Sequence, residues 1–331
     1  MAKIMTEFRP AKFLRNGHAQ SILGGLNIRQ PVVRFRGRNM LQASRSMLLD
    51  CGDGVTWHGY YSPHLEAKNG PRRLAILIHG WEGSANSLYL ISAADYLYRQ
   101  GYEVFRLNMR DHGPTHHLNV ELFHSGRITE AVGAVSRLQS VFPDHRLYLA
   151  GFSLGGNFCL RIAARAPAAN IDLKKVVAVS PVLEPRHTLE ALDKGFFGYR
   201  RYFITKWRRS LNIKQKLFPD VYDFSVIPRT NGLMDMTERF IDAYAPYPDL
   251  QTYLSDYAIT GDKLEGLAIP STLILAKDDP MIPIGDLERV AGSEALDIVV
   301  TEFGGHCGFL ERLDGSSWID RRIHSGFAEV T

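Results

Sequence analysis

The feature that most constrains the fold of this chain is the stretch of residues 146–165, which reads RLYLAGFSLGGNFCLRIAAR. It begins with the apolar run of residues 147–150, which is typical of a buried parallel strand, and it ends in a helical pattern of apolar residues. The six residues between them, GFSLGG, are rich in glycine. The stretch therefore predicts a strand, a tight turn and a helix within a parallel α/β sheet.

Ser153 lies at the apex of that turn, with Gly151 and Gly155 two positions away on either side. Such a turn forces its central residue into a strained backbone conformation, and side chains at the two glycine positions would collide. The pattern predicts that Ser153 projects from the carboxyl edge of the sheet as a nucleophile, provided that an acid and a base follow it in the chain. A glycine-rich turn that only connects a strand to a helix is the alternative.

Candidates for the acid and the base follow later predicted strands. Two adjacent carboxylates, Asp278 and Asp279, come directly after the apolar strand of residues 272–276. We favour Asp279 because its spacing to Pro283 fits the pattern D-x-x-[IV]-P, with Asp278 as the alternative. His306 stands among glycines after the last predicted strand and completes the order of nucleophile, acid and base.

A second loop predicts the donors of an oxyanion hole. The apolar run of residues 74–78 predicts a central strand that is buried on both faces, and the loop HGWEGS follows it. A loop in this position can place a backbone N–H where negative charge develops on a substrate oxygen. We expect the N–H groups of Trp81 and Leu154 to be the two donors. The alternative is an ordinary loop between a strand and a helix.

Composition excludes several classes of protein. Hydrophobic residues make up 45% of the 331 residues and charged residues 22%, as in ordinary soluble globular proteins. A net charge of +4 is small for this length, so a nucleic-acid partner is not expected. Three widely spaced cysteines do not make a disulfide framework. Because we find neither an apolar run that could span a bilayer nor the apolar core of a signal peptide, we predict a cytoplasmic protein.

The histidines at 112, 116, 117 and 124 raise the question of a metal site. His112 and His116 have the spacing of neighbours on a helix, but Gly113 and Pro114 lie between them and would prevent a helix. A polar loop that lines or braces the mouth of the site is favoured, and neither a metal nor an organic cofactor is expected.

The alternation of strands and helices stops at residue 184 and resumes near residue 268, which predicts a helical cap inserted into the sheet. Within it, residues 194–216 interleave aromatic side chains with lysines and arginines. Such a helix could contact anionic lipid, but a solvated outer face over an apolar inner face is favoured, and membrane contact is not expected.

These boundaries divide the chain into three parts. Residues 1–45 would form an arm packed on the core, residues 46–183 and 268–331 the α/β core, and residues 184–267 the cap. The arm is expected to be extended up to about Gly37, because this segment contains Gly24, Gly25 and Pro31 among aromatic and basic residues. Two β-rich runs around the turn of residues 50–54 predict an antiparallel hairpin at the edge of the sheet. In the arm, we expect His18 to cap or pack locally.

Seven segments of this sequence resemble those of the YheT-like branch of the α/β-hydrolase superfamily. This branch includes bacterial predicted esterases and related eukaryotic abhydrolase-domain proteins. The matching segments cover nearly the whole chain: NGHAQSI, HGWEGS, LNMRDHGP, FHSG, GFSLGGN, AKDDP and GGHCGF. The resemblance implies a mostly parallel eight-stranded sheet with helices on both faces and a helical cap. It also places the His18 and His124 segments near the site. One departure is Asp111, where the branch commonly has glycine.

The resemblance further implies a triad of Ser153, Asp279 and His306 that acts on short- to medium-chain acyl esters. The sequence therefore predicts a serine carboxylic-ester hydrolase with an acyl-enzyme intermediate and a small-molecule ester as substrate. Members of the branch are also described as acyl-transfer enzymes and phospholipases, so both activities are alternatives. A non-enzymatic binding protein with the same fold is a further alternative.

Overall fold

The computed structural model describes residues 3–4, 8–25, 29–64, 71–227, 232–312 and 317–330. Within these ranges, one sheet is formed by nine strands: β1 (Lys3–Ile4), β2 (Arg45–Asp50), β3 (Thr56–Ser62), β4 (Arg72–Ile78), β5 (Glu103–Asn108), β6 (His145–Phe152), β7 (Leu173–Val179), β8 (Ser271–Ala276) and β9 (Leu296–Thr301). Their order across the sheet is β1-β9-β8-β7-β6-β4-β5-β3-β2.

The sheet is mostly parallel, as predicted. Strands β4 to β9 pair in parallel with their neighbours, whereas β3 is antiparallel to both β5 and β2. The eight strands β2 to β9 agree with the eight-stranded sheet that the resemblance implies, and the two-residue β1 adds a ninth strand by pairing with β9. The predicted hairpin is confirmed as β2 and β3 at the edge of the sheet.

Helices cover both faces of the sheet: α4 (Leu88–Arg99) and α11 (Trp318–Ala328) on one, and α5 (Ile128–Val141) and α6 (Leu154–Arg165) on the other. The apolar side chains of β4 point to both faces of the sheet, so both faces must be covered by helices. Leu74, Ile76 and Ile78 lie in the core under α5 and α6, while Ala75 and Leu77 lie in the core under α4 and α11. All five are fully buried, because successive side chains of a strand point to opposite faces.

The expectation that the first segment is extended is wrong. It contains three short helices: α1 (Gly17–Gly25), α2 (Gln30–Arg36) and α3 (Arg38–Ala43). Pro31 lies in the first turn of α2. Proline is accepted there because its missing N–H would have no partner in the helix and its fixed φ suits the helix start. Pro31 therefore belongs to the start of a helix and not to an extended chain.

Among the described residues between β7 and β8 there are four α-helices: α7 (Pro185–Lys194), α8 (Phe197–Leu217), α9 (Leu233–Tyr244) and α10 (Leu250–Tyr257). We call residues 184–267 the insertion. Helix α8 buries Tyr199, Trp207 and Leu211 and exposes Phe197 and Tyr202. Among the described residues, no helix is both long and apolar enough to cross a membrane.

Candidate active site

Ser153 occupies the sharp turn between β6 and α6. Its backbone has φ 54° and ψ −123°, a strained conformation for a residue with a side chain. A Cβ atom at Gly151 would lie 2.3 Å from the carbonyl oxygen of Gly155, and one at Gly155 would lie 2.4 Å from that of His79. Both positions therefore require glycine, for the steric reason that the sequence suggested.

Three side chains from distant parts of the chain form one hydrogen-bonded series. The Nε2 atom of His306 lies 2.8 Å from the Oγ atom of Ser153, and its Nδ1 atom lies 3.0 Å from Oδ2 of Asp279. These residues follow β9, β6 and β8, whose carboxyl ends share one edge of the sheet. The Asp279 side chain is fully buried and that of His306 is 11% exposed, so the series is largely shielded from water.

The two adjacent aspartates have different partners. Asp279 uses Oδ1 to accept hydrogen bonds from the N–H groups of Met281 (2.8 Å) and Ile282 (3.0 Å), which turns Oδ2 toward His306. Asp278 instead accepts a hydrogen bond from the N–H of Gly305 at 2.8 Å. The structure thus brings Asp279, the favoured candidate, to the imidazole, while Asp278 holds the backbone of the loop that carries His306.

The surroundings of His306 set the direction of its pKa. Burial disfavours the charged imidazolium, but Cys307 and the Asp279 carboxylate outweigh burial and raise the pKa above its usual value of 6.5. A carboxylate at Nδ1 also favours the tautomer with its proton on that nitrogen. Nε2 is then free to accept the proton of the Ser153 hydroxyl.

Trp81 and Leu154, the predicted oxyanion donors, both line a cavity with Ser153 and His306. Leu154 is the first residue of α6, and the first N–H groups of a helix have no partner within it. The loop before Trp81 passes close to the serine, because a Cβ atom at Gly80 would lie 3.1 Å from the Cβ of Ser153. Tyr89 fixes this loop by accepting a hydrogen bond from the N–H of Gly80 at 3.0 Å.

Helix α1 braces the loop that carries His306, a role that sequence reasoning missed. The Oγ atom of Ser21 accepts a hydrogen bond from the N–H of His306 at 2.7 Å. Gln20, which is fully buried, donates to the carbonyl oxygen of Leu310 at 3.0 Å and accepts from its N–H at 2.8 Å. The unusual polar residues of the NGHAQSI segment were the only signal of this role in the sequence.

His18 does not pack locally, contrary to expectation. Its Nδ1 atom lies 3.0 Å from the hydroxyl of Tyr199, and the two rings stack with centroids 5.6 Å apart. Tyr199 belongs to α8, so His18 joins the first segment to the insertion.

Two of the four histidines of residues 112–124 form hydrogen bonds to different residues. The Nδ1 atom of His112 lies 2.7 Å from the carbonyl oxygen of Arg110, and Nε2 of His116 lies 2.8 Å from Oγ of Ser210. His124 lines the same cavity as Ser153. In the described parts of the chain, no three histidine, cysteine or acidic side chains are grouped so that they could hold a metal ion.

Asp111, which replaces the glycine common at its position, has a structural role. Its φ of 57° lies in the left-handed region of backbone conformations, which explains why glycine is common at this position. Aspartate is one of the few other residues that adopt this conformation. Its Oδ1 accepts a hydrogen bond from Nζ of Lys214 at 2.8 Å, and its Oδ2 accepts one from the N–H of Phe123 at 2.8 Å. Both charged side chains are buried, so this ion pair ties α8 to the loop after β5.

Two cavities meet at Ser153. One is narrow and mainly apolar, with a volume of about 80 Å³, and the insertion supplies much of its wall. The other is wide, with a volume of about 700 Å³, and polar and charged side chains share its lining with apolar ones. We call them the apolar cavity and the polar cavity. Five residues line both: Trp81, Ser153, Phe203, Met281 and His306.

The fold and the comparisons with known proteins agree. The chain belongs to the α/β hydrolase fold family, whose model matches residues 75–313. It is 27% identical to the predicted esterase YheT of Escherichia coli (strain K12), over 96% of this chain and 92% of that protein. It is 22% identical to the phospholipase ABHD3 of Homo sapiens, over 96% of this chain and 78% of that protein. The resemblance to the YheT-like branch is thereby confirmed.

Solved structures show the same fold. An esterase of Pyrococcus furiosus superposes with a TM-score of 0.54 at 17% identity, covering 87% of this chain and 91% of that one.

Proposed function

We propose that this protein is a serine hydrolase of small carboxylic esters. The observation that carries the proposal is the unbroken series from the Ser153 hydroxyl through the His306 imidazole to the Asp279 carboxylate, with separations of 2.8 and 3.0 Å. Such a series makes a serine hydroxyl nucleophilic at neutral pH. The esterase and the phospholipase among the relatives support the same chemistry.

The reaction has two halves. Oγ of Ser153 bonds to the ester carbonyl carbon as its proton passes to Nε2 of His306, and the N–H groups of Trp81 and Leu154 stabilise the resulting oxyanion. The tetrahedral intermediate then breaks its bond to the alcohol oxygen, which takes the proton from His306. In the second half, water attacks the acyl-enzyme, His306 takes the water proton and returns it to Ser153, and the carboxylic acid leaves.

The size of the apolar cavity favours a short acyl chain. A buried water needs roughly 10 to 15 Å³ of such volume, so about 80 Å³ has room for about six waters. A methylene group is similar in size to a water molecule, so the cavity would hold a chain of only a few carbons. The wide polar cavity lets water reach Ser153, which favours hydrolysis over acyl transfer.

We also propose that the insertion acts as a cap on the core of residues 46–183 and 268–331, with residues 1–45 as an arm. The support is that α7, α8, α9 and α10 all contribute side chains to the apolar cavity: Leu189, Leu192, Trp207, Phe240, Tyr253 and Tyr257. The cap would thus set which acyl groups enter.

The test is the variant Ser153→Ala. We expect hydrolysis of p-nitrophenyl butyrate to fall by roughly 10⁶-fold, as when the nucleophile of a triad is removed, and labelling by a fluorophosphonate probe to disappear. Ser140→Ala removes the same atom from an exposed serine of α5 and should keep both activities. Thermal unfolding of both variants checks that the fold is intact. Labelling that persists in Ser153→Ala would contradict the proposal.

A further inference from the structure

The side chains that line the polar cavity indicate which part of an ester substrate would bind there. We propose that it binds the alcohol side of the ester and that this alcohol carries an anionic group, either a phosphate or a carboxylate. This inference depends on the proposed function and specifies its substrate class. An ester that spans both cavities would have its carbonyl group at Ser153, where the cavities meet.

Three cationic side chains line the polar cavity: Arg34 of α2 and Lys206 and Arg209 of α8. Lys206 and Arg209 are three residues apart on one helix, so they lie on the same face. Among the described residues, none of the three forms an ion pair with a carboxylate. Their charges are therefore available to a bound anion.

The other titratable side chains of this cavity leave that charge uncompensated. Asp111 is already paired with the buried Lys214. Burial raises the pKa of Glu82 to about 7 although the Lys206 ammonium opposes the shift, so at neutral pH this carboxyl carries part of one negative charge against the three cations. Burial lowers the pKa of both His112 and His116, so these imidazoles are neutral as well. The cavity is thus net positive.

The apolar cavity fixes the orientation of the substrate. No lysine, arginine, aspartate or glutamate is among the described residues that line it. An anion placed there would lose its hydration without gaining a lysine or arginine as a partner, which is unfavourable. The acyl group therefore enters the apolar cavity, and the charged alcohol lies in the polar one.

Two pairs of butyryl esters test the proposal. The first pair is 1-butyrylglycerol 3-phosphate and 1-butyrylglycerol, and the second is the butyryl ester of 3-hydroxypropanoate and that of 3-hydroxypropanamide. Within each pair the acyl group and the type of bond cleaved are the same. We expect a higher kcat/KM for the anionic member of at least one pair, and the pair that discriminates identifies the anion. The preference should decrease with added salt.

Variants of α8 assign the preference to its cations. In Lys206→Gln and Arg209→Gln, the ratio of kcat/KM for the anionic over the neutral ester should fall roughly tenfold, since each removes a charged donor. Lys206→Arg should retain the ratio. Arg201→Gln is the matched control, because Arg201 is an exposed cation of the same helix that does not line the cavity.

The outcomes separate the two proposals. If the protein hydrolyses both members of each pair at equal rates, or if Arg201→Gln lowers the ratio as much as Lys206→Gln, the anion site is refuted and the esterase stands. If no ester of either pair nor p-nitrophenyl butyrate is hydrolysed, the proposed function itself fails.

Discussion

Replacing Asp279 by asparagine tests the role of this residue most sharply. Its Oδ1 atom accepts hydrogen bonds from the N–H groups of Met281 and Ile282. In Asp279→Asn these two donors require the amide oxygen at that position, so the NH₂ group must face Nδ1 of His306. Because NH₂ is a donor, Nδ1 must become an acceptor, and the imidazole proton moves to Nε2. The nitrogen that faces Ser153 can then no longer accept its proton.

The expected loss is large because the base is present but in the wrong tautomer. An aspartate-to-asparagine change in a serine protease triad lowers kcat about 10⁴-fold. At about 1.36 kcal/mol for each factor of ten, we expect the barrier to rise by about 5.5 kcal/mol. The assay is kcat for p-nitrophenyl butyrate under saturating substrate, with thermal unfolding as the check on the fold.

Asp278→Asn is the matched control. One oxygen of the Asp278 carboxylate accepts a hydrogen bond from the N–H of Gly305, and the amide oxygen of an asparagine could accept the same hydrogen bond. Its Oδ2 atom is buried, and no partner for it is found among the described residues, so loss of the charge should not destabilise the loop. We expect a change in kcat of less than about tenfold. A greater loss in Asp278→Asn than in Asp279→Asn would refute the assignment of Asp279 as the acid.

Two further predictions concern the buried ion pair and the pH profile. Lys214→Met leaves the Asp111 carboxylate buried without its cation, and we expect the free energy of unfolding in urea to drop by about 3 to 5 kcal/mol; Lys216→Met, an exposed change on the same helix, should have little effect. Asp279 helps to raise the pKa of His306, and only the neutral imidazole can accept a proton. We therefore expect kcat/KM to fall as the pH is lowered, with an apparent pKa above 6.5. A midpoint below pH 6.5 would contradict this role of His306.

Much of the fold could be predicted because its signals are local. Helices α4 and α5 can be recognised in the sequence, since their apolar residues recur at helical spacing and Gly101 follows the end of α4. The central strands are continuous apolar runs because both of their faces are covered. The first segment was predicted wrongly because Pro31 is compatible with both an extended chain and the first turn of a helix.

The candidate site likewise has parts that could be predicted from the sequence and parts that could not. The order of Ser153, Asp279 and His306 along the chain, together with their placement after strands, was enough to predict that they would meet. The brace from Gln20 could not be predicted, because its partner Leu310 is 290 residues away and only the folded chain brings them together. The buried ion pair of Lys214 with Asp111 could not be predicted either, because Lys214 appears in the sequence as one more cation of a basic helix.

The brace has a consequence for the timing of activity during synthesis. The ribosome makes Gln20 and Ser21 before Ser153, whereas His306 and the loop that they hold emerge 285 residues after Ser21. Ser153 is thus translated long before the groups that would activate it. In a nascent chain, the Ser153 hydroxyl would lack its proposed base until the segment of His306 has been made and has met helix α1 across the finished sheet.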